Sequence, residues 1–154
     1  TQTPKQKTKI LALSSSGGHW VQLMRLRPAF DGAEVTYACT EASVRPQVAG
    51  HTFYTFKDAN KSQPVKLMQA ALGLAVILWR ERPDVIVSTG AAGGSLAIAM
   101  GRLIGARGLF VDSIANARTL SVSARLSLRV ASAVFTQWPS VASSSPATFH
   151  GNVL

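Results

Sequence analysis

Three short segments of this sequence carry residue types that can do chemistry. The first is Ser14-Ser-Ser-Gly-Gly-His-Trp20, which follows the apolar run Lys9-Ile-Leu-Ala-Leu13. An unperturbed imidazole titrates at about 6.5, so a histidine placed here can take a proton from a substrate hydroxyl. Gly17 and Gly18 let the backbone turn tightly and approach a ligand, and a helix starting there offers unpaired N–H groups to an anion. No Gly-Lys-Ser/Thr follows and the segment is not GxGxxG; a tight strand-to-helix turn capped by serine is the alternative to a site. The second segment is Thr89-Gly-Ala-Ala-Gly-Gly-Ser95. Gly90, Gly93 and Gly94 suit a loop wrapped around a phosphate, although close packing of helix on strand also demands glycine. The third, Asp112-Ser-Ile-Ala-Asn-Ala-Arg-Thr119, opens on a carboxylate at the end of an apolar run and adds Asn116 and Arg118. Asp112 serves a polar site or accepts hydrogen bonds within its own turn. Arg118 pairs with a diphosphate or is simply solvated.

The elements that must hold these segments alternate in period. Strands are predicted at Lys9–Ser14, Glu34–Thr40, His51–Phe56, Asp84–Thr89, Gly108–Asp112, Ala133–Thr136 and Thr148–Phe149. Helices are predicted at Gly18–Arg27, Ser62–Glu81, Gly93–Leu103 and Leu120–Ala131. Pro64 suits a first helical turn, and Pro83 stops the helix before it. Such alternation predicts an α/β fold, a single doubly wound, Rossmann-like parallel sheet covered on both faces. Ligands of these sheets gather at the carboxyl ends of the strands, where the chain order reverses, and all three unusual segments follow strands. The whole of 1–154 is expected to be one domain, with residues 1–8 flexible.

Composition narrows the function. At 154 residues with 47% hydrophobic and 15% charged residues, the chain can bury a proper core and is not disordered. Cys39 is the single cysteine, and His51 and His150 have no neighbouring ligand types, so neither a disulfide nor a metal site is expected. The formal net charge is +9. Residues 1–30 hold Lys5, Lys7, Lys9, Arg25 and Arg27 with no carboxylate, and residues 102–154 hold five arginines against Asp112. Basic ends around a neutral middle form one electropositive surface if they meet, suited to anionic lipid or a phosphorylated substrate. Nucleic acid is disfavoured, because aromatics make up 7% and no basic–aromatic interleaving occurs. The apolar run from Ala70 to Trp79 falls short of the roughly 20 residues a bilayer span needs. The helix holding it reads as a core helix or one lying against a membrane or partner.

Assembled in order, the segments SSSGGHWVQLMRL (14–26), RPDVIVSTGAAGG (82–94), VDSIANARTLSVSARL (111–126) and VFTQWP (134–139), closed by FHGNVL, resemble a family. It is the acceptor-binding, membrane-associated subunit of two-subunit glycosyltransferases. The family includes the anchoring subunit of the dolichol-pathway UDP-GlcNAc transferase and bacterial exopolysaccharide and capsule relatives. More distantly, the segments resemble the N-terminal half of the peptidoglycan transferase that forms lipid II.

The resemblance implies the N-terminal half of a glycosyltransferase-B fold. It also implies inverting transfer of a sugar from a UDP-sugar to a polyprenyl-diphosphate-linked saccharide, without a cofactor or metal. His19 is the expected base, with Asp112 as alternative base or as orienter of the acceptor. Gly17, Gly18, Gly90, Gly93 and Gly94 are expected to cradle the acceptor diphosphate, with Asn116 and Arg118 contacting the acceptor. The sequence ends where a UDP-sugar-binding half begins in the single-chain relative, so a separate donor-binding subunit is the expected partner. The transmembrane anchor of the eukaryotic subunit is absent from this sequence, which puts the expected attachment on an anionic membrane surface, peripheral, at the cytoplasmic face. The eukaryotic relatives are expected to carry glutamate where this chain has Asp112. Two other readings stay open: a nucleotide-binding module, and an adaptor that recruits a catalytic partner without contributing chemistry.

Overall fold

The computed structural model describes residues 6–59 and 62–151. Seven strands form one wholly parallel sheet: β1 (Lys9–Ser14), β2 (Glu34–Cys39), β3 (Thr52–Thr55), β4 (Val85–Ser88), β5 (Arg107–Val111), β6 (Ala133–Thr136) and β7 (Thr148–Phe149). Their order is β3-β2-β1-β4-β5-β6-β7, with Ile10 paired to Val35 on one side and to Val85 on the other. This is the doubly wound, Rossmann-like α/β arrangement that the alternating periods predict. The helices are α1 (Gly18–Arg25), α2 (Pro64–Glu81), α3 (Ala92–Leu103), α4 (Val122–Ser127) and α5 (Pro139–Ser143).

Period-two burial gives each sheet face its own core. Leu11, Leu13, Ile86, Phe110 and Val134 pack with Leu74, Ile77, Leu78 and Ile98 on the face that carries α2 and α3. Ala12, Val35, Tyr37 and Val87 pack with Trp20, Leu23 and Val48 on the α1 face. There Trp20 stands edge-on to Tyr37 and Phe53, with ring centroids 6.2 and 6.3 Å apart. Cys39 belongs to this core, and burial pushes its thiol above the ordinary value. The ring of His51 stands nearly perpendicular to that of Tyr37, and the ring of His150 to that of Phe135.

The sheet and helix packing explains several glycines. On β5, a Cβ at Gly108 would run into the Cγ2 of Ile98, a buried side chain of α3. Gly108→Ala is expected to lower the unfolding free energy by about 1–3 kcal/mol through overpacking, read as a lower urea midpoint at unchanged m. A midpoint equal to that of the unsubstituted protein would show that α3 can retreat at no cost.

Some element ends differ from the sequence expectation. Helix α1 stops at Arg25 rather than Arg27, because Pro28 has no N–H to continue the ladder, and a 3₁₀ turn spans Arg27–Phe30. The helix expected over Leu120–Ala131 covers Val122–Ser127: Ser121 caps its start, its hydroxyl accepting from the Ala124 N–H at 3.0 Å, and after Ser127 the chain tightens into i→i−3 turns, Arg129 N–H to the Leu126 carbonyl and Val130 N–H to the Ser127 carbonyl. A 3₁₀ segment at Ala42–Val48 and helix α5 are additional. The basic ends meet only in part: Lys9 and Arg107 start β1 and β5 on either side of the start of β4, and the Asp84 backbone bonds to both. Arg27 lies over the Tyr37 ring on the α1 face, whereas Arg102 donates to the Arg129 carbonyl on the side of α3 and α4. Residues 1–5 and 152–154, within the expected flexible start and the FHGNVL close, lie outside the described residues.

Candidate functional site

Strands β1 and β4 are neighbours from which the chain departs in opposite directions, so their carboxyl ends form the topological switch point. The loop 15–17 and the loop 89–91 therefore lie side by side. They are tied by two hydrogen bonds: His19 Nδ1 lies 3.2 Å from the Thr89 carbonyl oxygen, and Thr89 Oγ1 donates to the His19 carbonyl at 2.6 Å. A carbonyl can only accept, so Nδ1 carries a hydrogen, and in the neutral ring Nε2 then holds the lone pair. The contact thus selects the tautomer that a proton-accepting histidine needs. Gly90 is buried against this ring, and a Cβ at that position would overlap it. Gly90 is glycine to seat the imidazole.

Both helices that start at the switch point begin alike. Gly17, preceding α1, has φ 77° and ψ −139°; Ala91, preceding α3, has φ 67° and ψ 167°. That region is almost reserved for glycine, and an alanine held there costs of order 1–3 kcal/mol. Neither start has a side-chain cap or an acidic residue in its first turn among the described residues. The amides of Gly18 and His19 on α1, and of Ala92 and Gly93 on α3, lie in first turns that have no helical carbonyl to offer them. Two aligned helix dipoles add positive potential at one place.

The expected glycines divide by this geometry. Gly17 and Gly18 are exposed, with open space where a Cβ would stand. Gly90 N–H donates to Ser88 Oγ at 3.3 Å and Gly94 N–H to the Ala91 carbonyl at 3.2 Å, so these two amides have internal partners. Gly93 and Gly94 also bring α3 close to Phe56 and Ser88, whose side chains a Cβ would strike.

Asp112 follows β5, the strand next to β4, and is 2% exposed. Its Oδ2 accepts from the Ser121 N–H at 2.9 Å, and its Oδ1 from Asn116 Nδ2 at 3.2 Å. The carboxylate thereby closes the 112–121 loop on the start of α4. The same loop is pinned again where Trp138 Nε1 donates to the Ile114 carbonyl at 2.6 Å. Asn116 is spent on Asp112, while Arg118 is exposed on the loop.

Two glutamines that the sequence reading did not single out complete this corner. Gln22 Nε2 on α1 and Gln137 Nε2 after β6 both donate to the Asp112 carbonyl, at 3.1 and 3.0 Å. Gln22 stands one helical step past His19, so it links the histidine's helix to the end of β5. The signal was an amide in the buried stripe between Trp20 and Leu23, a position that burial normally reserves for apolar residues. Among the described residues, no group of three His, Cys, Asp or Glu side chains is placed to hold a metal ion. None of the described helices is long and apolar enough to cross a membrane.

No protein-family profile matches the chain, and no curated protein matches it in sequence. Solved structures share its fold. MurG of Acinetobacter baumannii superposes with a TM-score of 0.69 at 15% identity, over 87% of this chain and 43% of its own. A glycosyltransferase of Rickettsia africae gives 0.61 at 13% identity, over 85% of this chain and 37% of its own. The UDP-GlcNAc 2-epimerase of Methanocaldococcus jannaschii gives 0.61 at 11% identity, over 84% and 39%. The chain thus has the fold of one Rossmann-like half of a glycosyltransferase-B structure, and it spans less than half the length of each of these proteins.

Proposed function

We propose that this chain is the acceptor-side subunit of an inverting glycosyltransferase whose donor-binding half is a separate polypeptide. One observation carries the reading: two uncapped helix starts converge at the switch point beside a histidine whose Nε2 is left free to accept a proton. That arrangement suits a substrate that combines an anion with a nucleophilic hydroxyl, as a polyprenyl-diphosphate-linked saccharide does. The acceptor hydroxyl oxygen forms a bond to C1 of the donor sugar as the bond from C1 to the UDP oxygen breaks. The electron pair leaves with UDP, and the hydroxyl proton passes to His19 Nε2. First-turn amides of α1 and α3 hold the acceptor diphosphate, and the dipoles of both helices oppose its charge. Gly90 and Thr89 fix the imidazole, and Asp112, with Gln22 and Gln137, holds the β5 corner. The glycosyltransferase-B likeness of the fold supports the reaction class. A lipid-linked acceptor puts the work at the cytoplasmic surface of a membrane.

The test is a transfer assay with synthetic polyprenyl-diphosphate-sugar and a panel of UDP-sugars. It uses this chain alone, a candidate donor-binding glycosyltransferase polypeptide from the same organism alone, and both together. Transfer by the pair only, with one UDP-sugar, is expected. Full activity of this chain alone would place the donor site here and end the half-enzyme reading. Full activity of the other polypeptide on a short soluble acceptor would reduce this chain to an adaptor.

A further inference from the structure

Gln22 is nearly sealed into the molecule, 5% exposed, yet only one end of its amide is used. Nε2 faces two backbone carbonyls at the end of β5, that of Val111 at 3.4 Å and that of Asp112 at 3.1 Å. Carbonyls only accept, so nitrogen must be the atom turned toward them, which fixes the amide and sends Oε1 the other way. Oε1 has no hydrogen-bond partner among the described residues. It is not sealed in either, because no fully buried side-chain nitrogen or oxygen among the described residues lacks a partner. The small exposure of Gln22 therefore includes this oxygen, a preset acceptor that still reaches solvent.

Its place is set by the strands. Helix α1 packs on β1, and the Gln22 amide reaches the end of β5; β4 lies between those strands and ends at Ser88. The side chain thus crosses the end of β4, where Thr89 and Gly90 hold the His19 ring. Residues three apart on a helix are surface neighbours with Cβ atoms about 5–6 Å apart, so His19 and Gln22 leave α1 side by side. Each carries an acceptor that the chain itself does not fill: Nε2 of the neutral imidazole and Oε1 of the amide. Asp112, beside them, is engaged on all three of its oxygens. Its carboxylate takes the Ser121 N–H and Asn116 Nδ2, and its carbonyl takes Nε2 of Gln22 and of Gln137.

An amide oxygen with little access to water is costly to leave unpaired, so it rewards a ligand that brings a donor. A hydroxyl or an acetamido N–H can supply one; a carboxylate or keto oxygen at the same point meets lone pair with lone pair. We propose that Gln22 Oε1 reads the acceptor sugar, accepting from one donor group of that sugar while His19 Nε2 accepts from the hydroxyl that attacks. Gln22 is then a specificity-determining residue as well as a tie to β5. The assignment rests on the transferase reading for the class of ligand, a sugar carried on a diphosphate.

The experiment is a cycle between protein and ligand, read as binding to the 154-residue chain by calorimetry. The probes are farnesyl diphosphate and farnesyl-diphosphate-linked glucose, galactose and N-acetylglucosamine, then analogues of the tightest that each lack one hydroxyl or acetamido group. At least one sugar-bearing probe is expected to bind about tenfold tighter than farnesyl diphosphate, and loss of one particular donor group to cost it about five- to a hundredfold. Gln22→Met keeps the length of the side chain and removes both ends of the amide. In that variant the one group should no longer matter, while the others cost what they cost before. Loss of the tie to β5 alone would weaken every probe alike, so coupling to a single group separates the two roles. The analogue series on the unsubstituted chain decides the matter even where a lowered urea midpoint shows Gln22→Met to be unstable. Failure of every probe to bind, sugar-bearing probes no tighter than farnesyl diphosphate, analogues that all bind alike, or a cost that persists unchanged in Gln22→Met would each overturn the assignment. Transfer by the pair without this coupling would sink the role of Gln22 alone. The coupling intact with no transfer in any pairing would sink the transferase reading alone.

Discussion

If the proposed two-subunit transferase is right, His19→Ala is expected to lower its sugar transfer about 10²–10⁴-fold, the range for removal of a positioned general base. The geometry behind that number is the hydrogen bond from Nδ1 to the Thr89 carbonyl, which leaves the other ring nitrogen as the acceptor. His19→Asn separates the two functions of the ring. An asparagine amide can still donate to Thr89, yet offers no nitrogen of imidazole basicity. It is therefore expected to keep the stability of the β1–β4 corner and still lose most of the rate. A decrease of less than about fivefold in both variants, measured as kcat with acceptor saturating, would remove His19 from the chemistry. The substitutions leave the Thr89 Oγ1 bond intact, since its acceptor is the backbone carbonyl of residue 19.

Asp112→Asn acts on the fold before it acts on the reaction. Its carboxylate is buried and accepts from two donors, the Ser121 N–H and Asn116 Nδ2. An amide in its place turns a donor toward one of them, so a loss of about 1–3 kcal/mol of unfolding free energy is expected. Because the carboxylate positions the 112–121 loop, transfer by the folded variant should fall less than about tenfold. A loss as large as that of His19→Ala, at unchanged urea midpoint, would instead make Asp112 the proton acceptor. Measuring both quantities on each variant decides between base and positioning residue.

The sheet was legible in the sequence wherever a short apolar or β-branched run was bounded by polar residues, glycine or proline. Lys9–Ser14 and Ala133–Thr136 lie where the period placed them, and DVIVST holds β4. Helix limits were less legible, because they depend on hydrogen bonds that periodicity does not contain. The Ser121 cap sets the start of α4, and Pro28 converts the end of α1 into a 3₁₀ turn. The site was legible by residue type and less so by contact. The glycines of the second segment suited a phosphate loop, yet Gly90 seats an imidazole and Gly94 lets α3 approach Ser88. Gln22 and Gln137 were illegible as a pair, because two side chains that meet on one carbonyl stand 115 positions apart in the chain. Helix α2 read as apolar nearly all round, and only the packed sheet reveals which side has no protein against it.

The placement of β1 at the centre of the sheet has a consequence for how the chain is made. Synthesis delivers β1 and β2 early, but β1 cannot complete its ladder until β4 arrives; Lys9 and its partner Asp84 are 75 positions apart. At about 5–20 residues per second, that gap is on the order of 4–15 s on the ribosome. During it, one edge of β1 is an open template for any passing strand, and the nascent chain also displays the apolar stripe of α2. Closing so long a loop is a non-local step, which slows folding relative to helical domains of equal size. The nascent chain is thus most exposed to misassembly just before residues 85–88 emerge.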